Sequence, residues 1–138
     1  MAIQKTLTIL KPDVVKRNLI GEIIHRFEMA GFVVRGMFME HLTAERARGF
    51  YKIHEGKPFF NDLVAFMTSG PCVPMVLEKE NAVEDLRTLI GATDSRKAAC
   101  GTIRHNFGTD IQENGVHASD SEANAVIEIG YFFPELKL

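Results

Sequence analysis

Apolar residues recur in this chain with two different periods, and the order in which those periods alternate narrows the fold more than any other feature. Ile3, Leu7, Ile9 and Leu10 lie in a β-rich stretch that stops at Pro12, which predicts a first strand. Asn18 reads as the cap of a helix with Ile20, Ile23, Ile24 and Phe27 on one face, and Gly31 as its stop. Phe32 to His41 is the second strand candidate. Thr43 then caps a helix carrying Ala47, Phe50 and Tyr51, and a short helix covers Phe60 to Met67. Val73, Met75 and Leu77 alternate as a third strand. Ala82, Leu86, Leu89 and Ile90 form a helical face that Gly91 ends. Periodicity fades from Ala92 to Glu113, a long irregular loop of the kind that is often functional. Val116 to Ala118 makes a short fourth strand. Ser119-Asp120-Ser121-Glu122 reads as a capping box, with Ser119 as cap and Glu122 three residues on, opening a last helix with Ala125, Val126 and Ile129.

The order β-α-β-(α-α)-β-α-β-α contains the β-α-β-β-α-β core of ferredoxin-like folds. The expected class is therefore α+β, a four-stranded antiparallel sheet covered by helices. With 138 residues, no repeat and no Pro/Gly/Ser linker, the expectation is one domain over 1–138. That length buries a core without metal or disulfide staples. Cys72 and Cys100 form no C-x-x-C pair and have no histidine at ligand spacing, so two ordinary thiols in a reducing compartment are expected. The N-terminus carries no secretory-leader pattern, and no apolar run approaches the ~20 residues that cross a bilayer. A cytoplasmic protein without membrane contact is expected. The net charge of −2 argues against bulk attraction to nucleic acid, so a phosphate site has to come from a few placed cations.

Three groups of residues carry candidate chemistry. The first is the string from Asn114 to Ser121 around His117. A neutral imidazole is a competent nucleophile near pH 7. Ser119 lies two residues on, and Glu128 is placed to reach back from the following helix and fix the ring tautomer. The plainer reading is a surface histidine beside a helix cap. The second group is Lys11, Arg87 and Arg104, three cations that neutralise nucleotide phosphates if the fold gathers them; taken singly, each reads as a solvated surface charge. The third is Lys57-Pro58-Phe59-Phe60, where one ring can stack on a base and the other is core, with Tyr51 one helix earlier. His25, His41, His54 and His105 make no metal-ligand pattern and read as surface or structural. No Walker-type glycine loop, dinucleotide fingerprint or protein-kinase catalytic loop is present.

Together these residues resemble the nucleoside diphosphate kinase family. The most specific string is N-x-x-H-x-S-D at Asn114 to Asp120. It is supported by T-x-x-x-L-K-P-D ending at Asp13, R-G-F-Y ending at Tyr51, G-K-P-F-F ending at Phe60, and M-x-S-G-P from Met67. G-A-T at Gly91 to Thr93 and G-T-I-R ending at Arg104 complete the set, so the likeness runs from Thr6 to about Phe133. The resemblance implies transfer of the γ-phosphate of a nucleoside triphosphate, typically ATP, to a nucleoside diphosphate by a ping-pong route through phosphohistidine at His117. It implies that Lys11, Tyr51, Arg87, Thr93, Arg104 and Asn114 contact phosphate and ribose, that Phe59 stacks on the base beside Leu63 and Ile111, and that Ser119 and Glu128 position His117. It further implies a magnesium ion (Mg2+) held by the nucleotide phosphates, with no protein side chain assigned to the metal. The implied partners are ATP, GTP and other nucleotides, and copies of the chain in a homo-oligomer built from dimers, a tetramer or a hexamer.

Some positions depart from the family pattern. Ala118 stands where glycine is usual, Asp94-Ser95 replaces a common Asn-Pro, and Cys100 replaces a common proline. A positive φ at Ala118 would be costly, whereas β geometry there would cost nothing. The two missing prolines are expected to loosen the loop, which in the family lies at subunit contacts. The chain ends soon after Pro134, and longer members use their C-terminal extension in subunit packing, so the assembly size stays open. Two other readings remain: a nucleotide-binding relative that has lost catalysis, and an RNA-binding ferredoxin-like module. The second lacks the aromatic RNA-binding string and a basic surface.

Overall fold

The structure, a computed structural model, describes residues 3–136. Strands β1 (Ile3–Leu10), β2 (Val33–Met37), β3 (Val73–Glu80) and β4 (Val116–Ala118) form one sheet in the order β2-β3-β1-β4, with every neighbouring pair antiparallel. Helices α1 (Pro12–Lys16) and α2 (Ile20–Met29) follow β1; α3 (Ala44–Phe50) and α4 (Phe60–Met67) lie between β2 and β3. Helices α5 (Ala82–Ile90) and α6 (Ile103–Phe107) lie between β3 and β4, and α7 (Glu122–Phe132) follows β4. The four strands with α2 and α5 make the expected ferredoxin-like core.

Both faces of the sheet are covered. Leu10, Val73, Met75, Leu77 and Val116 pack on Ile23 and Phe27 of α2 and Leu86 and Ile90 of α5. On the other face Leu7, Ile9 and Val76 meet Ala47 of α3, Val64 and Met67 of α4, and Ile129 and Phe132 of α7. Burial on both faces explains why Cys72 to Leu77 are all buried rather than alternating. Each such apolar side chain contributes about 1.5–3 kcal/mol on removal from water. Phe27, with no exposed surface, is among the largest of them.

Several elements differ from expectation. β2 ends at Met37 rather than His41, because the register shifts between Val34 and Gly36 and the chain rejoins β3's side only at the Glu40–Cys72 bridge. Asn18 does not cap α2; it takes a left-handed turn at φ 60° and Leu19 occupies the cap position. Ser121, not Ser119, caps α7 by accepting the Asn124 N–H. Thr43 does cap α3, accepting the Arg46 N–H. The stretch from Ala92 to Glu113 holds a 3-10 turn at Ser95–Lys97 and the short α6, capped by Thr102. Ala118 pairs with Thr8 in the sheet, so its extended backbone carries no glycine requirement. Ser95 is buried and its hydroxyl has no partner, while its N–H donates to the Asp110 carbonyl. Cys100 is exposed.

Candidate active site

β4 is short, but its pairing with the end of β1 sets Ile9 opposite His117. Thr8 Oγ1 donates to the His117 carbonyl at 2.7 Å, which locks that register. The ring is then held from α7. Its Nε2 lies 2.9 Å from Glu128 Oε1. Ser119 Oγ donates to the same oxygen at 2.7 Å and accepts the Leu7 N–H at 3.4 Å. A carboxylate on Nε2 favours the tautomer with the proton there and leaves Nδ1 its lone pair. Among the described residues Nδ1 has no hydrogen-bond partner. Phe50 and Tyr51 present their rings edge-on to the imidazole at 5.3 and 6.1 Å.

The ring opens onto a cleft of about 700 Å³. Its walls bring together residues from six separate parts of the chain. Lys11 comes from the end of β1 and Tyr51 from the end of α3; Phe59 and Leu63 come from the start of α4. Arg87 comes from α5, Thr93 and Arg104 from the long loop with α6, and Ile111 and Asn114 from the approach to β4. Ser119 lies behind His117 and is fully buried. Thus every candidate residue is at the cleft or directly behind it. A second, more open groove of about 770 Å³ shares Arg87 and Asp120 but has neither His117 nor Lys11 in its wall.

Of the polar groups, Lys11, Tyr51, Arg104 and Asn114 are buried, whereas Arg87 and Thr93 are exposed. Lys11 is buried, and its ammonium donates to Asn114 Oδ1 at 2.8 Å. Burial, and then the Arg104 guanidinium, push the lysine down to about 7, against the pull of Asp13. Arg104 donates to the Gly91 and Val116 carbonyls at 3.1 and 2.8 Å, and burial with Arg87 nearby pushes it down to about 10. Among the described residues its Nε and the Tyr51 hydroxyl have no hydrogen-bond partner. Burial raises the Tyr51 phenol above its ordinary range, so it is a neutral donor. Buried donors and cations held at such cost fit an anionic ligand that supplies the missing acceptors.

The family model described as nucleoside diphosphate kinase matches residues 4–138. The chain belongs to the nucleoside diphosphate kinase family. It is 57% identical over 135 residues to the nucleoside diphosphate kinase of Salinibacter ruber, covering 98% of this chain and 95% of that one. It is 58% identical over 130 residues to that of Prosthecochloris aestuarii, covering 94% and 92%. Among solved structures, the nucleoside diphosphate kinase of Aquifex aeolicus superposes with a TM-score of 0.95 at 44% identity, covering 99% of each chain. That of Halobacterium salinarum in complex with CDP gives 0.94 at 42% identity, covering 97% of this chain and 90% of that one.

Two residues that the sequence reading passed over bear on the kinase cleft: His54 lines it, and Asp13 lies beside Lys11 without lining it. His54, read as surface or structural, stacks on Tyr51 at 6.4 Å and lies 5.3 Å from Phe59. Burial, with Lys57 and then His117 nearby, pushes its imidazole below the usual histidine range. Its place three residues after Tyr51, on the turn leading to Phe59, was the available signal. Asp13, read only as part of a motif, is a buried carboxylate beside Lys11. Among the described residues no group of three or more His, Cys, Asp or Glu could hold a metal. That donor set fits a divalent ion carried by the phosphates of a nucleotide rather than by a protein cage.

Proposed function

We propose that this nucleoside diphosphate kinase works through Nδ1 of His117. The observation that carries this is the Glu128 contact on Nε2, which leaves Nδ1 unengaged on a ring that lines a cleft walled by Lys11, Arg87 and Arg104. Nδ1 attacks the γ-phosphorus of a triphosphate. The N–P bond forms as the bond to the β,γ-bridging oxygen breaks, and that electron pair leaves on the diphosphate. Glu128 holds the Nε2 proton and offsets the charge the ring gains, and Ser119 holds Glu128. A second diphosphate then attacks the phosphorus, and the N–P electrons return to Nδ1. Little covalent chemistry is asked of the protein, so positioned cations and donors do most of the stabilising. Lys11, Arg87 and Arg104 supply charge, and Tyr51, Thr93 and Asn114 supply polar contacts to phosphate or ribose. Mg2+ on the phosphate oxygens offsets further negative charge when bound.

Phe59 stands 46% exposed at the cleft, near Leu63 and Ile111. A stacked base held without edge hydrogen bonds is discriminated weakly, so purines and pyrimidines are both substrates. The relative crystallised with CDP is in keeping with this. The whole chain acts as one domain, in the cytoplasm; among the described residues no helix is long and apolar enough to cross a membrane. The assembly is a homo-oligomer built from dimers, a tetramer or hexamer. In support, Val33 and Met37 leave β2, an edge strand, with exposed apolar side chains.

The test is a pulse and chase. γ-Labelled ATP alone should leave an acid-labile, base-stable label on the protein, and added CDP or GDP should carry it off as triphosphate. His117→Ala should take no label while still binding ADP. A wild type that turns over without ever retaining label would rule out the covalent route.

A further inference from the structure

Asp13 is a buried carboxylate in the first turn of α1. It is 8% exposed on the short α1, and burial raises it above its ordinary range while the Lys11 ammonium opposes that. Its Oδ2 accepts the Gly115 N–H at 3.0 Å, the Val14 N–H also favours its charged form, and among the described residues its Oδ1 has no hydrogen-bond partner. A buried carboxylate with one oxygen unpartnered is costly to hold. What it touches is specific. Gly115 also gives its carbonyl to the Lys11 N–H at 2.8 Å, so the turn from Lys11 to Asp13 grips both backbone groups of one residue. That residue separates Asn114, which holds the Lys11 ammonium, from the strand that carries His117. Gly115 is at φ 85°, and a Cβ there would come within 3.2 Å of Val14 Cγ1, so the grip is made on a backbone with little room to shift.

We propose that Asp13 is a positioning residue for the phosphoryl transfer: by gripping Gly115 it keeps Asn114, Lys11 and His117 in one register, and its negative charge sustains the Lys11 ammonium. This rests on the functional reading above. The charged groups around that ammonium are few. Arg104 from α6 disfavours it and Asp13 from α1 favours it; Arg87 from α5, Glu128 from α7 and His117 from β4 share the same cleft. Removing Asp13's charge leaves the cations unopposed at Lys11, so the lysine loses its proton at lower pH.

Asp13→Asn separates the two roles, because the amide keeps an acceptor for the Gly115 N–H and loses the charge. In kcat/KM against pH, the alkaline limb should move to lower pH by about one unit, with rates close to wild type on the acid side of the optimum. Asp13→Ala frees Gly115 as well and should lower kcat at every pH, by ~10- to 100-fold. Phe27→Leu, in the core on α2 and not lining the cleft, serves as a destabilised control whose pH profile should not move. An Asp13→Asn profile that superposes on wild type, whatever its melting temperature, overturns the proposal. Should that variant not fold, hydrogen exchange on the 15N-labelled wild type decides: the Gly115 amide should be strongly protected, and exchange at the rate of an open loop overturns the grip. Absence of transfer by the wild type itself would instead strike the functional reading.

Discussion

At the scale of single residues, the site sets buried groups, Lys11, Tyr51, Arg104 and Asn114, beside exposed ones, Arg87 and Thr93. Lys11 is the clearest case. Burial and Arg104 hold it near 7 in the free protein, whereas an anionic ligand favours its charged form. Near pH 8 the free lysine is therefore largely neutral and the bound one charged, so nucleotide binding takes up a proton. Titration calorimetry of ADP binding at pH 8, in buffers of different ionisation enthalpy, should give enthalpies that scale with the buffer. Buffer-independent enthalpies would mean that Lys11 keeps its proton in the free protein. Sequence alone could nominate Lys11, Arg87 and Arg104, since phosphate needs cations, but not the burial of Lys11 and Arg104 beside an exposed Arg87. Arg104 is buried through contacts to the carbonyls of Gly91 and Val116, thirteen and twelve residues away, and no local pattern encodes these. The capping error has a similar cause. Ser119, Asp120 and Ser121 can all cap a helix, and only the position of Glu128 in space decides that Ser119 serves the carboxylate instead.

At the scale of elements, the long periodic segments are readable, as are the short α4 and β4, whereas the two five-residue helices are not. α5 declared itself through Ala82, Leu86 and Ile90, whose side chains do face the core. α1 and α6 have five residues each, too few for a face to repeat, and both are placed by what they pack against. The junction between α5 and α6 shows how such a segment is fixed. Gly91 ends α5 at φ 89°, and a Cβ there would lie 2.6 Å from Thr102 Oγ1, the group that caps α6. Gly91→Ala would thus strain the backbone by about 1–3 kcal/mol and push on the cap that positions Arg104. Thermal unfolding should show a clear loss of stability, and steady-state kinetics a raised KM for nucleotide. An unchanged melting temperature would show that the loop yields freely at this point.

At the scale of the whole molecule, the sheet order puts β1 and β3 in the centre and leaves β2 and β4 at the edges. The inner position of β1 is what carries Lys11 to the cleft, and β4 brings His117 to its flank. β2 does nothing for the cleft, yet it exposes Val33 and Met37, at 46% and 47%. An apolar edge of that kind invites pairing, so replacing both residues by lysine should reduce the proposed assembly to smaller species in sedimentation velocity. A wild type that sediments as a monomer would remove the dimer-based assembly. The central claim, however, concerns one nitrogen atom. The phosphoenzyme formed with ATP can be hydrolysed in alkali and its phosphohistidine isomer identified by chromatography or by 31P NMR against standards. Phosphate on Nδ1 of His117 is the expected result, because Glu128 holds Nε2; phosphate on Nε2, or on another residue, would contradict it.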